Sequence, residues 1–171
     1  MKPRYDRIFA DSRQFIPRLR FEDADANLRY FSQPYSEQIA LINALDDPKV
    51  RTVVVLKPRQ IGITTANCAH TFWATYCANK PLRTIVAADH NKTTKSIFKK
   101  FCTYYNHLPK VLKDANPFKM NQNDKTLMSG RTDALIDHMT ARGDTHGRGW
   151  TYQRFVAEEL AFWPHPEEVW A

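Results

Sequence analysis

The stretch Thr52-Val-Val-Val-Leu-Lys-Pro-Arg-Gln-Ile-Gly-Ile-Thr-Thr65 decides how we interpret this chain of 171 residues. It begins with a β-branched apolar run that ends at Lys57-Pro58, a pattern that predicts a buried strand of a parallel sheet. Gly62 follows, and because glycine has no Cβ the backbone there can approach a ligand closely. Two threonines then open a helical pattern. The stretch therefore predicts a strand, a loop and a helix in succession.

The loop between the strand and the helix is suited to an anion. Thr64 and Thr65 lie at a predicted helix N-terminus, where free backbone N–H groups and the helix dipole favour negative charge. A nucleotide triphosphate is the candidate ligand. The usual phosphate-loop pattern is G-x-x-x-x-G-K-[ST], but here Pro58 replaces the first glycine and Ile63 replaces the lysine. We expect Lys57 to fold back over the phosphates instead.

The charge and composition of the chain set broad limits. A length of 171 residues with 43% hydrophobic content predicts one domain with one core, and a net charge of +7 favours a polyanionic partner or simple solubility. Cys68, Cys77 and Cys102 have neither a disulfide pattern nor metal-ligand spacing, which fits a reducing compartment. No apolar run is long enough for a membrane span, and no signal-peptide core follows Met1.

The remaining secondary structure follows from periodicity and turn residues. We expect residues 1–32 to be an arm or packing segment, with a short helix from Glu22 to Tyr30, and residues 33–171 to form the main domain. Helices are predicted over residues 34–45, 65–78 and 93–108. Strands are predicted over residues 82–88, 125–128, 134–139 and 152–157, and the strands over 125–128 and 134–139 are candidates for a hairpin.

Paired carboxylates end the last predicted strand, in Tyr152-Gln-Arg-Phe-Val-Ala-Glu-Glu-Leu-Ala-Phe-Trp-Pro164. A short apolar strand followed by two acids has the form of a Walker B motif. Glu158 is then a candidate ligand of Mg²⁺, directly or through water, and Glu159 is the candidate base that deprotonates an attacking water. Most ATPases have Asp at the first of these positions. Paired Glu at a helix start also occurs for charge reasons alone, and that alternative stays open.

The loop Lys57-Pro-Arg-Gln-Ile-Gly-Ile-Thr-Thr65 resembles the deviant Walker A motif of large terminase subunits, the motors that package DNA into tailed-phage and herpesvirus heads. Some of these proteins have the lysine at the start of the loop. The resemblance implies that Lys57 is the phosphate lysine, that Arg59 acts at the γ-phosphate and that Thr64 binds Mg²⁺. The alternative from the residues alone is a strand-turn-helix with a basic loop and no nucleotide.

Three further features resemble the same family. Gln38, at the start of the helix before the loop, matches the glutamine that reads the adenine edge. Arg148-Gly149 matches an Arg-Gly step before the acidic motif, which implies a finger that reaches the nucleotide of a neighbouring subunit; a glycine-rich turn with solvated arginines is equally compatible with the spacing. The implied ATP-binding set is Gln38, Lys57, Pro58, Arg59, Gln60, Ile61, Gly62, Ile63, Thr64 and Thr65.

Together these features imply an α/β phosphate-loop ATPase of the additional-strand type, with a mostly parallel sheet and helices on both faces. The implied activity is Mg²⁺-dependent ATP hydrolysis that drives double-stranded DNA into a procapsid in the host cell cytoplasm. The implied partners are DNA, a portal protein, the small terminase subunit and further copies of the chain in a ring, with no membrane. We expect the ATPase domain to be incomplete and the family's C-terminal nuclease to be absent. A helicase-like ATPase and a non-catalytic basic DNA-binding or assembly module remain alternatives.

Overall fold

The computed structural model describes residues 8–57, 61–141 and 151–164. The helices that we label α1 to α5 are Ser12–Phe15, Ser36–Asp46, Ile63–Tyr76, Asn91–Asn106 and Lys110–Ala115. The strands β1 to β7 are Arg20–Glu22, Leu28–Tyr30, Arg83–Ala88, Phe118–Asn121, Thr126–Ser129, Leu135–Thr140 and Arg154–Glu158. Short 3-10 turns follow α1 and β7, at Ile16–Arg18 and Leu160–Phe162. No described helix has the length and apolar character needed to cross a bilayer.

A five-stranded sheet with the order β4-β5-β6-β3-β7 forms the centre of the molecule. The strand β3 pairs in parallel with β6 on one side and with β7 on the other. By contrast, β5 is antiparallel to both of its neighbours, β4 and β6. The α/β class is therefore confirmed, and so is the predicted hairpin, which is formed by β5 and β6. The sheet is mixed, however, so the expectation of a mostly parallel sheet is not met.

The described helices pack mainly against one face of this sheet. Both α3 and α4 contact β3 and β6. From β3, Val86 and Ala88 join the core shared with these helices, whereas Ile85 and Ala87 point to the opposite face and are not part of that cluster. Within the described ranges, the expected helices on both faces are thus not seen.

Aromatic side chains fill the space between the helices. Phe72 and Tyr76 of α3 are fully buried, and their rings stack 5.2 Å apart. The Tyr76 hydroxyl donates to the carbonyl of Leu112 at 2.6 Å, which ties α3 to α5. The Tyr104 ring of α4 is tilted against that of Phe72, with 5.8 Å between the ring centroids. Phe72 and Tyr76 of α3 are therefore part of the core, because apolar residues at helical spacing are buried when a second helix covers them.

The N-terminal segment packs into the core. Phe15, Leu19 and Phe31 are buried, and the Phe15 ring lies 5.8 Å from that of Tyr76. The helix predicted over residues 22–30 is wrong: β1 and β2 form an antiparallel hairpin there. The physical reason is the side chain of Asp23, which accepts hydrogen bonds from two backbone N–H groups of the connecting turn and so stabilises a turn in place of a helix.

The segment before the phosphate loop does not form the predicted strand. Residues 51–57 have no regular secondary structure, and Val54 and Leu56 are 82% and 96% exposed. Both sides of β3 are already taken by β6 and β7. The expected strand therefore has no edge beside β3. The strand β7 is the end strand of the described sheet, and residues 51–57 do not pair with it either, so the strand propensity of this run is not realised.

Candidate functional site

The helix α3 begins at Ile63, and Gly62 is its N-cap residue. Gly62 has φ +68°, in the left-handed region, and no side chain caps the helix. The first turn also contains no acidic residue. A Cβ at Gly62 would lie 2.5 Å from Gln38 Nε2, so any other residue there would adopt a strained backbone and would also displace the Gln38 amide. The helix end is thus left open to an anion.

Three side chains from distant parts of the sequence meet at this helix end. The Lys57 ammonium donates to Thr64 Oγ1 at 2.5 Å and to Glu158 Oε2 at 3.3 Å. The Thr64 hydroxyl donates to the same Glu158 oxygen at 2.9 Å. These are the residues that the sequence assigned to the phosphates and the metal. Their close approach is a result of the fold, since Thr64 and Glu158 are 94 residues apart.

Glu158 is held rigidly at the C-terminal end of β7. Its backbone pairs with Ala88 of β3, and its side chain is only 6% exposed. Asn67 Nδ2, one helical turn after Thr64, donates to Glu158 Oε1 at 3.2 Å. The indole of Trp163 donates to the Glu158 carbonyl at 3.1 Å. The carboxylate therefore has a partner on each oxygen, and only a small part of it meets solvent.

Glu159 differs sharply from its neighbour. Its backbone has φ 59° and ψ 36°, a left-handed conformation that is strained for a residue with a side chain. Its carboxylate is 42% exposed and lies 3.8 Å from the Lys57 ammonium. The two acids thus have separate environments, one buried and fixed and the other accessible.

Thr64 and Glu158 each present an oxygen, the donor atom that Mg²⁺ prefers. Thr64 Oγ1 and Glu158 Oε2 lie 2.9 Å apart because the hydroxyl donates a hydrogen bond to the carboxylate. The Lys57 ammonium now supplies positive charge at this point. The described residues contain no cluster of three or more His, Cys, Asp or Glu suited to a metal, but a Mg²⁺ ion bound with phosphates and water needs only one or two protein oxygens.

Both ends of the Gln38 amide form hydrogen bonds with backbone groups. It is 6% exposed, its Nε2 donates to the carbonyl of Ile61 at 3.0 Å, and its Oε1 accepts from the N–H of Tyr35 at 3.1 Å. The side chain therefore connects the start of α2 to the phosphate loop. To bind an adenine edge, the Gln38 amide would use its second N–H and the second lone pair of its oxygen, or it would break its present hydrogen bonds to Ile61 and Tyr35.

The other predicted site residues divide into those that the structure places and those outside the described ranges. Ile63 is buried in the core, and Thr65 Oγ1 accepts from the Lys100 ammonium at 3.4 Å. The carbonyl of Thr65 accepts from the Tyr104 hydroxyl at 3.0 Å. The following site residues lie outside the described part of the chain: Pro58, Arg59, Gln60, Arg148 and the adjacent Gly149.

Sequence reasoning missed Asn67 and a second polar cluster near the start of β7. His70 is 1% exposed; its Nε2 lies 2.9 Å from Asp46 Oδ1, and its Nδ1 lies 3.2 Å from the Arg154 guanidinium. Burial lowers the pKa of His70 in spite of the nearby Asp46 carboxylate. The Ser12 hydroxyl donates to the other Asp46 oxygen at 2.5 Å. Thr64, Asn67 and His70 recur every three residues along α3, and this polar spacing was the sequence signal that could have indicated Asn67 and His70.

Comparisons with known proteins found no family model that matches the chain and no significant match among curated proteins. The functional interpretation therefore depends on the motifs and on the geometry of the site.

Proposed function

We propose that the chain is a Mg²⁺-dependent ATP hydrolase of the phosphate-loop class, and that it acts as the ATPase domain of a terminase large subunit. The observation that supports this best is the meeting of Lys57, Thr64 and Glu158 at the open N-terminus of α3. A loop lysine, a helix-start hydroxyl and a strand-end carboxylate are the groups that such enzymes use. Their convergence supports the proposal because a simple basic turn would not require it.

Each residue would have a defined role. Lys57 would bind the β- and γ-phosphate oxygens, and the first-turn N–H groups of α3 would bind the phosphate chain. Thr64 and Glu158 would hold Mg²⁺, which when bound neutralises charge that develops on the phosphates. Glu159 would accept the proton of the attacking water. The flanking Arg59 and Arg148 would supply further positive charge, the latter from a neighbouring copy in a ring.

The motor role extends this proposal to partners. A net charge of +7 is compatible with binding of double-stranded DNA, and terminase motors work with a portal protein and a small subunit. We place this activity in the host cytoplasm. A salt-dependent increase of ATP turnover by double-stranded DNA would support the translocase role. A preference for single strands with strand separation would favour the helicase-like alternative.

Calorimetric titration of ATP with and without Mg²⁺ tests the nucleotide site. The wild-type chain should bind Mg-ATP, and Lys57→Ala should lose most of that affinity because the phosphate cation is removed. Lys49→Ala is the control for loss of a lysine outside the site, since Lys49 is solvent-exposed and lies eight residues earlier in the chain. Equal affinity for the wild type and Lys57→Ala would refute the assignment of Lys57.

A non-catalytic basic module is the second candidate, and one observation favours it. Lys57 is already neutralised by Glu158 and follows a segment that is not part of the sheet. Absence of ATP binding by the wild type, together with tight binding to DNA, would establish this candidate in place of the hydrolase.

A further inference from the structure

A second lysine lies at the N-terminus of α3. The Lys100 side chain of α4 reaches across to the first turn of α3, where its ammonium is 3.4 Å from Thr65 Oγ1. Tyr104, one turn further along α4, donates its hydroxyl to the Thr65 carbonyl at 3.0 Å and so holds the two helices in register. The position of the ammonium is thus set by helix packing rather than by the loop.

This placement is electrostatically unfavourable for a cation alone. A helix N-terminus carries partial positive charge, and cations are stabilised at the opposite end of a helix. Lys100 forms no ion pair with any carboxylate of the described residues. Its neighbour Lys99 points elsewhere and pairs with Glu22 at 2.6 Å. The two adjacent lysines therefore have different surroundings, and only Lys100 lacks a negative partner there.

Lys57 and Lys100 lie at the same end of α3. Both lysines lower the pKa of the Cys68 thiol, although burial raises that pKa more strongly and Glu158 raises it further. Cys68 is one turn after Thr64 and Thr65, so the two ammonium groups are near the first turn of the helix from two directions. Glu158 neutralises Lys57, whereas no carboxylate of the described residues pairs with Lys100. A polyphosphate anion would satisfy both the helix end and this lysine.

We propose that Lys100 is a second phosphate-binding lysine, which supplies from α4 the positive charge that the loop lacks at Ile63. The ligand class is a phosphate chain, as in a nucleoside triphosphate or inorganic tripolyphosphate. The proposal rests on the proposed nucleotide site but concerns a different residue. It also explains how a loop without the usual lysine before its threonines can retain two cations for one phosphate chain.

Titration of wild type, Lys100→Met and Lys99→Met with Mg-ATP and with inorganic tripolyphosphate tests this inference. Lys100→Met should weaken binding of both probes about tenfold or more, since a charge-assisted hydrogen bond is lost. Lys99→Met should stay within about twofold of the wild type, because an exposed ion pair contributes little. Lys100→Arg should retain most of the affinity, and thermal unfolding of each variant identifies any that fails to fold.

The outcomes separate this inference from the proposed function. If Lys57→Ala loses Mg-ATP binding while Lys100→Met binds as the wild type does, the nucleotide site stands and Lys100 has no part in it. If tripolyphosphate binds in a Lys100-dependent way but ATP does not, the role of Lys100 is supported and the hydrolase proposal fails. If the wild type binds neither probe, both proposals are overturned.

Discussion

Lys57 and Glu158, which are 101 residues apart in the chain, form an ion pair with 3.3 Å between Nζ and Oε2. The carboxylate is almost fully buried, and the ammonium also contacts Thr64. A cation at this point is therefore part of the folded structure. On our proposal, Mg²⁺ would take over this place when nucleotide binds, and Lys57 would move towards the phosphates.

Replacement of Lys57 by Met should destabilise the protein by about 2 kcal/mol, because a buried carboxylate then loses its cation. Millimolar Mg²⁺ should restore part of this loss in Lys57→Met and have less effect on the wild type. Urea unfolding with and without Mg²⁺ measures both effects. In the double variant Lys57→Met/Glu158→Gln, the loss of stability should be smaller and independent of Mg²⁺. If Mg²⁺ stabilised the double variant as much as Lys57→Met, a cation site at Glu158 would be contradicted.

Asn67 should act as a positioning residue for Glu158. Asn67→Ala removes one hydrogen bond to the carboxylate and should cost about 1 kcal/mol. Asn67→Asp should cost more at pH 7.5, since two carboxylates would then face each other, and the difference should shrink as the pH falls towards 5. Asn123→Asp, in an exposed turn, is the control for the same chemical change. Urea unfolding at both pH values is the measurement, and equal stability of Asn67→Asp and Asn67→Ala would exclude the contact.

The variant Glu159→Gln should abolish ATP turnover while leaving Mg-ATP binding within about twofold of the wild type. The side chain keeps its size but can no longer accept a proton, and its partial exposure means that little stability depends on it. Steady-state phosphate release and calorimetry measure the two quantities. Normal turnover by this variant would remove Glu159 from the role of base.

Alanine at Gly62 should destabilise the fold by about 1–2 kcal/mol and weaken nucleotide binding. The left-handed backbone penalises any Cβ, and the new methyl group would displace the Gln38 amide from its bond to Ile61. Comparison of the double variant Gln38→Ala/Gly62→Ala with Gln38→Ala alone separates these terms, because the difference between the two contains only the backbone cost of the Cβ. If the two substitutions are strictly additive in thermal unfolding, the steric part of this argument is wrong.

His138 should make the stability fall in mild acid. Burial lowers the pKa of its imidazole from 6.5 to about 4, so the folded protein keeps it neutral while the unfolded chain takes up a proton. The free energy of unfolding is therefore unaffected by His138 above pH 6.5 and decreases as the pH falls towards 4. Between pH 6.5 and 5 this decrease is on the order of 2 kcal/mol. His138→Leu should reduce this dependence in urea unfolding, and an unchanged pH slope would contradict it.

The sequence alone determined most local structure. The periodicity of apolar residues predicted α2, α3, α4, β3 and β7, and turn residues marked the hairpin of β5 and β6. These predictions succeed because each depends on a pattern within about 15 residues. Lys57 and Glu158 were candidates for phosphate and metal chemistry from their motifs, and Thr64 became one through the resemblance of the loop to the terminase Walker A; these roles stay predictions.

Only the tertiary structure decided which predicted strands are paired and which distant side chains are in contact. The apolar run before Lys57 has a strand-like sequence, but it pairs with no strand of the described sheet: β6 and β7 occupy both sides of β3, and the run does not add to the end strand β7. The contacts of Asn67 with Glu158 and of Lys100 with Thr65 join residues 91 and 35 positions apart. Such contacts depend on the packing of α3 against β7 and α4, and the spacing of residues along the chain does not encode that packing directly.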